Sequence, residues 1–117
     1  MDEQLELTML FDFYGDLLAK KQREYFRLHH MEDLSLSEIA ENEGVSRQAV
    51  WENIRRSEET LRKNEEKIGL LGRYLQQKQA ARELERDTQE LLTLTTGRAR
   101  VLAENIRRRI EELQHGI

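Results

Sequence analysis

The sequence contains no cysteine and no proline, and only 6% of its residues are aromatic. Without cysteine, the chain has no disulfide, no thiol nucleophile and no cysteine-ligated zinc site. Without proline, and with six glycines in 117 residues, few positions interrupt a helix. We therefore predict an all-α fold with a modest core.

The chain also has no long apolar segment. Its start, MDEQLELTML, is acidic, whereas a secretory signal begins with basic residues. No window approaches the roughly 18 apolar residues that a membrane span requires. We expect a soluble, cytoplasmic protein.

The net charge is −4, but the charges are unevenly distributed. Residues 1–45 hold eleven acids and four bases, residues 46–64 hold five bases and three acids, and residues 65–117 hold ten bases and nine acids. A negative total argues against indiscriminate binding to nucleic acid. The stretch 46–64 is the only early part of the chain with a positive balance.

Apolar residues at three- and four-residue spacing predict a series of amphipathic helices. Gly69 and Gly72 should break this series, because each costs roughly 1 kcal/mol inside a helix. The segment TLTTG predicts a turn before the last helix. The predicted helices cover residues 5–18, 21–31 and 74–92, and a last one has Leu102, Ile106, Ile110 and Leu113 as its apolar stripe.

The middle of the chain has the spacing of a helix-turn-helix. Ser35 and Glu38 have capping-box spacing, which starts a short helix that ends near Glu43. Gly44 suits the left-handed conformation that ends a helix, and Ser46 can cap the next one. Two capped helices about three residues apart form this motif.

The interior of this helix pair is predicted from its apolar and small residues. Ile39, Val45 and Val50 should fill it, and Ala40 and Gly44 should lie where the two helices approach closely. The motif belongs to a predicted helical-bundle domain, residues 1–68. Residues 69–117 are predicted to form a charged helical extension, an αα-hairpin or a coiled-coil-like pair that could link two copies as a homodimer.

Polar side chains lie on the outward face of the second helix. At 100° per residue, Ile54 lies about 40° from Val50, whereas Gln48 and Arg55 lie about 140–160° away. In helix-turn-helix proteins the start of this helix meets the base edges. The predicted DNA-binding residues are Ser46, Arg47, Gln48, Trp51, Glu52, Arg55 and Arg56.

These residue types suit different contacts. Arg47 can pair with guanine and Gln48 with adenine, each good pair contributing about 1–3 kcal/mol of discrimination. Ser46 and the backbone N–H groups beside it can hold a phosphate. Trp51 can stack on a base, contact a thymine methyl or pack against a neighbouring helix. Arg55 and Arg56 suit phosphates, although an arginine on a solvated helix is more often ordinary surface charge, and Glu52 either accepts from cytosine or repels the backbone.

Catalytic and metal-binding patterns are absent from the sequence. His29 and His30 are adjacent, so they cannot both face one metal from a regular helix, and His115 stands alone. We find no nucleophile–base pattern and no glycine-rich phosphate loop. We expect no enzymatic activity, no cofactor and no bound metal.

With these motifs placed, the segments QREYF, DLSLSEIA and GVSRQAVWENIRR resemble the YlxM/p13-like family of small bacterial helix-turn-helix proteins (UPF0122-type). That family is similar to the sigma-factor region that reads the −35 promoter element, and the resemblance covers residues 5–75. It implies an all-helical bundle, a DNA-binding transcriptional regulator and an association with the signal recognition particle pathway and its GTPase Ffh. It also implies that the recognition helix contains Ser46, Arg47, Gln48, Trp51 and Arg55.

One residue departs from the family pattern. Glu43 stands before Gly44, where the family places a large apolar residue. We expect either a looser helix pair or coverage of this position by the C-terminal hairpin. Two functions remain open: a DNA-binding regulator, and an adaptor that contacts Ffh, its RNA or RNA polymerase without reading DNA.

Overall fold

A computed structural model describes residues 1–116, and the prediction of an all-α fold is confirmed, with no strand among these residues. A 3-10 turn, Gly15–Leu17, follows the first helix, and a π-helical segment, Arg27–Met31, continues the second. Contacts divide the chain into two units, Met1–Leu71 and Gly72–Ile117. The α-helices are α1 (Glu3–Tyr14), α2 (Lys20–Phe26), α3 (Leu36–Glu43), α4 (Arg47–Ile68), α5 (Leu70–Leu94) and α6 (Gly97–Gly116).

The core of the first unit forms around α4, which contacts α1, α2 and α3. The ring of Phe26 stacks on that of Phe11, with 4.7 Å between centroids. The hydroxyl of buried Ser57 donates to the carbonyl oxygen of Asn53 at 3.0 Å, so its polar atom is satisfied inside the core. The largest fully buried side chains are Tyr14, Phe26, Leu10, Ile39, Leu61, Val50 and Ser57.

The first predicted helix, residues 5–18, is wrong in its last turn. The α-helix ends at Tyr14, and the 3-10 turn leaves Leu17 exposed while Leu18 is buried. A Cβ at Gly15 would lie 3.1 Å from the Phe11 ring, so a larger residue would press on this ring where the chain passes it.

The break between α4 and α5 occurs at Gly69 alone. Gly69 has φ 73°, and its N–H donates to the carbonyl oxygen of Glu65 at 2.8 Å. The next residue already begins α5, because the N–H of Leu70 donates to the Tyr14 hydroxyl and that of Leu71 to the Glu65 carboxylate, both at 2.9 Å. The prediction that Gly72 also breaks the chain, and that the helix begins at residue 74, is wrong.

The second unit contains most of α5 and all of α6, which are joined by a two-residue turn. Gly97 has φ 60°, and the guanidinium of Arg100 donates to the carbonyl oxygen of Leu92 at 2.9 Å, tying the start of α6 to the end of α5. The predicted apolar stripe on α6 is buried only at Ile110. Small Ala103 shares the buried side with Ile110, so Leu102, Ile106 and Leu113 lie beside that contact and are exposed.

None of the helices among residues 1–116 is long and apolar enough to cross a membrane.

Candidate nucleic-acid interface

The first helix of the motif, α3, begins as the sequence predicts. The N–H of Glu38 donates to the Ser35 hydroxyl and the N–H of Ser35 donates to the Glu38 carboxylate, both at 3.0 Å. The capping box is therefore confirmed. The pKa of Glu38 lies below its ordinary value. The largest cause is the hydrogen bond from the backbone N–H of Ser35, followed by the one with the Ser35 side chain, because both stabilise the charged carboxylate.

The corner between α3 and α4 is confirmed at Gly44, which has φ 68° and ψ 33°. The N–H of Val45 then donates to the carbonyl oxygen of Ala40 at 3.1 Å. Two details of the prediction are wrong. Val45 is 41% exposed, because this reversal turns it away from the core, and Gly44 lies in open space, so it is needed for its backbone angle and not for close approach.

The interior of the motif is filled from α2 instead of from Val45. Tyr25 of α2 lies in one cluster with Ile39, Ala40, Val50 and Ile54. Partly buried leucines complete this cluster, and they come from the segments just before α3 and from its first residue. They are Leu28, Leu34 and Leu36.

Glu43 at the end of α3 has a partner in α2. Its carboxylate accepts from the ammonium of Lys21 at 3.4 Å, and its side chain is 23% exposed. This hydrogen bond and the attraction of Glu43 and Glu24 raise the pKa of Lys21 above its ordinary value. The helix pair is not loose, since Ile39 and Val50 are fully buried beside it.

The start of α4 carries three of the predicted DNA-binding residues. The Ser46 hydroxyl accepts from the N–H of Ala49 at 3.0 Å and so caps the helix. Arg47 and Gln48 occupy the first turn, and both are exposed. This turn can offer a guanidinium, an amide and the unpaired backbone N–H groups of a helix N-terminus to one ligand.

The next turn brings Trp51 and Arg55 together. The guanidinium carbon of Arg55 lies 5.5 Å from the centroid of the Trp51 ring, and 44% of Trp51 is exposed. Trp51 therefore stacks with a cation at the surface and is not buried between helices. Arg55 also lies 3.5 Å from the carboxylate of Glu59.

The remaining two predicted residues form a pair with each other. A guanidinium nitrogen of Arg56 lies 3.7 Å from the carboxylate of Glu52. Our sequence-based selection missed Glu59, which contacts both Arg55 and Lys63. The four-residue spacing of these charges was readable in the sequence, because such residues are neighbours on a helix.

His29 and His30 have structural contacts. His30 is nearly buried, and its Nε2 lies 2.7 Å from the Glu58 carboxylate while its Nδ1 lies 3.0 Å from the Gln4 side-chain oxygen. His29 lies 2.8 Å from the carbonyl oxygen of Leu34. Within residues 1–116, no cluster of three or more histidines, aspartates or glutamates has a metal-binding arrangement.

Two capped helices joined at Gly44 and supported by α2 define an all-helical protein of the helix-turn-helix class. Comparison with known proteins gives the family more closely. The family described as "Putative helix-turn-helix protein, YlxM / p13 like" matches residues 1–98, and the chain belongs to this family, UPF0122.

Bacterial relatives agree with this membership. A UPF0122 protein of Halalkalibacterium halodurans is 44% identical over 100 residues, which cover 80% of this chain and 92% of the relative. One from Acetivibrio thermocellus is 41% identical over 115 residues, or 97% of each chain. One from Listeria welshimeri is 49% identical over 79 residues, covering 68% of this chain and 72% of the relative.

Proposed function

We propose that this protein is a non-catalytic, cytoplasmic DNA-binding regulator that docks the first turn of α4 on duplex DNA. The observation that supports this function is the capped start of α4, where exposed Arg47 and Gln48 follow Ser46. The opposite side of α4 is held in the core by Val50 and Ile54. A helix fixed in this way presents its first turn without a conformational change, which is the docking geometry of the class.

We propose that Arg55 and Arg56 contact phosphates, with Trp51 and Glu52 beside them. Their partners Glu59 and Glu52 are helix neighbours at 3.5 and 3.7 Å. Exposed ion pairs of this kind contribute at most about 1 kcal/mol, so a phosphate can displace the carboxylates. The same carboxylates reduce the local positive charge, and we expect a modest salt dependence.

The proposal includes two domains, a helix-turn-helix domain of residues 1–68 and a helical extension of residues 69–117. A module with so little positive charge binds weakly by itself. A homodimer formed through the C-terminal helices would present two recognition helices to two half-sites.

The test is selection of bound duplexes from sheared genomic DNA at about 150 mM salt. At this ionic strength, long-range attraction between exposed charges is largely screened. We expect a defined sequence to be enriched by the native chain and not by the Arg47→Ala/Arg55→Ala variant. An Arg107→Ala/Arg108→Ala variant removes the same charge from α6 and should retain the enrichment. Equal enrichment by all three proteins, or by none, would overturn DNA reading by this helix.

A second function is supported by the carboxylates around the same helix. Arg55 and Arg56 each lie within 4.0 Å of a glutamate, and Glu43 lies at the end of α3. This mixed surface suits an adaptor that contacts Ffh, its RNA or RNA polymerase, as the family resemblance implies. Recovery of signal recognition particle components on the immobilised chain, with and without nuclease, would support it. Their absence from both samples would count against it.

A further inference from the structure

One side of the second unit carries a row of exposed apolar side chains. In α5, Leu84 is 52% exposed and Leu91 43%. In α6, Leu102 and Ile106 are each 45% exposed and Leu113 is 62% exposed. Contiguous apolar surface of this kind marks an interaction site in soluble proteins.

The two rows lie on the same side of the α5–α6 pair. Because most of α5 and all of α6 belong to one compact unit, we infer that their buried residues mark the sides on which the two helices pack. These residues include Ala81 and Thr88 on α5 and Ala103 and Ile110 on α6. At 100° per residue, the exposed apolar residues of each helix lie about 60–100° from this inward direction, in the same rotational sense. Because the two helices run in opposite directions, the same rotation brings both rows to one face.

The two edges of this face have opposite charge. On α5, Asp87 and Glu83 lie further around the helix than the exposed leucines. They are about 120–160° from the inward direction. At the matching angle on α6 lie Arg109 and Arg98. The acidic edge thus belongs to one helix and the basic edge to the other.

We propose that this face, formed by Leu84, Leu91, Leu102, Ile106 and Leu113, binds the same face of a second copy of the chain to form a four-helix bundle. A twofold axis along the helices puts α5 of one copy opposite α6 of the other, with both turns at the same end. The acidic edge then meets the basic edge on both sides. The alternative axis, across the helices, would oppose acid to acid and base to base.

The register of the pair identifies a specific contact between the copies. The turn between Leu94 and Gly97 lies midway in sequence between Ala81 and Ile110, so in an antiparallel pair these two residues are level. Glu83 is two residues nearer the turn than Ala81, and Arg109 is one residue nearer than Ile110. The heights of Glu83 and Arg109 along the helix axis therefore differ by only about 1.5 Å. In the twofold bundle, Glu83 of one copy is therefore level with Arg109 of the other.

The four-helix bundle specifies how the two copies pair in the homodimer of the proposed function. Its formation does not depend on DNA binding. The experiment is sedimentation equilibrium of the full chain without DNA, over micromolar concentrations. The native chain is expected to have twice its 14.0 kDa mass. Leu102→Glu should weaken the dimer about tenfold or more, because it buries an unpaired charge.

Val101→Glu is the matched control, because Val101 is 44% exposed and lies about 100° from Leu102 around the same helix, outside the apolar face. This variant should remain dimeric, and both variants should keep native helical content by circular dichroism. A native chain that is monomeric, or a dimer lost equally in both variants, overturns the proposal. A dimer that binds no DNA would overturn only DNA reading.

The arrangement of the copies is tested by exchanging charges. Glu83→Arg and Arg109→Glu should each weaken the dimer several-fold, since each opposes like charges. The double variant should restore the native dissociation constant. A double variant as weak as the two single changes combined would overturn the twofold axis along the helices.

Discussion

The carboxylate of Glu43, the last residue of α3, lies 3.4 Å from the ammonium of Lys21 in α2. This contact joins residues 22 positions apart in sequence and explains how the corner accepts a charge where the resemblance led us to expect a large apolar residue. The side chain of Glu43 is 23% exposed, so it is partly withdrawn from solvent. The core beneath it is closed at Ile39 and Val50.

Replacing Glu43 by leucine is therefore expected to stabilise the protein. The variant removes a partly desolvated carboxylate and adds apolar surface beside Lys21, so the midpoint of urea unfolding should rise. Glu41→Leu, at an exposed position of the same helix, is the control and should leave the midpoint nearly unchanged. A lower midpoint for Glu43→Leu would mean that its ion pair with Lys21 matters more than packing.

The two valines that the sequence predicted as core residues should respond differently to the same substitution. Val50→Ala removes buried methyl groups from a fully buried site, and we expect a loss of about 2 kcal/mol. Val45→Ala changes an exposed side chain and should remain within about 0.5 kcal/mol of the native value. Urea unfolding followed by circular dichroism measures both. Equal losses would contradict the corner described for Gly44.

Substitution of His30 tests the contact between α4 and the start of the chain. His30→Ala removes the partner of the half-buried Glu58 carboxylate and the contact with Gln4. We expect a loss of about 1–3 kcal/mol at neutral pH, the usual cost of leaving such a group without its partner. His115→Ala, exposed in the last turn of α6, should change stability by less than about 0.5 kcal/mol. Similar values for the two variants would contradict a structural role for His30.

The capping box should make stability depend on pH. The pKa of Glu38 is lower in the folded chain than its ordinary value of 4.5, because the ionised carboxylate accepts a hydrogen bond from Ser35. A lowered pKa contributes stability that is present above about 4.5 and lost as pH falls through the folded value. The native chain should therefore lose stability relative to Glu38→Gln below this pH. A difference between the two proteins that stays constant from neutral to acidic pH would contradict this linkage.

The sequence by itself determined the local features of this protein. The Ser35–Glu38 box, the left-handed Gly44 and the cap at Ser46 each depend on residues within four positions, so their chemistry is readable without a fold. The all-α class follows from the absence of proline and from helical periodicity. The paired charges on α4, such as Arg55 with Glu59, could have been predicted from their spacing.

Only the tertiary structure decided which of several apolar or charged residues face one another. It turned Val45 to solvent and brought in Tyr25, and it gave Glu43 the partner Lys21. On α6 it buried Ala103 with Ile110 and left Leu102 exposed. Helical periodicity defines a broad apolar side, but the angle at which two helices pack selects the part of that side that is buried, and this angle depends on residues far apart in the chain.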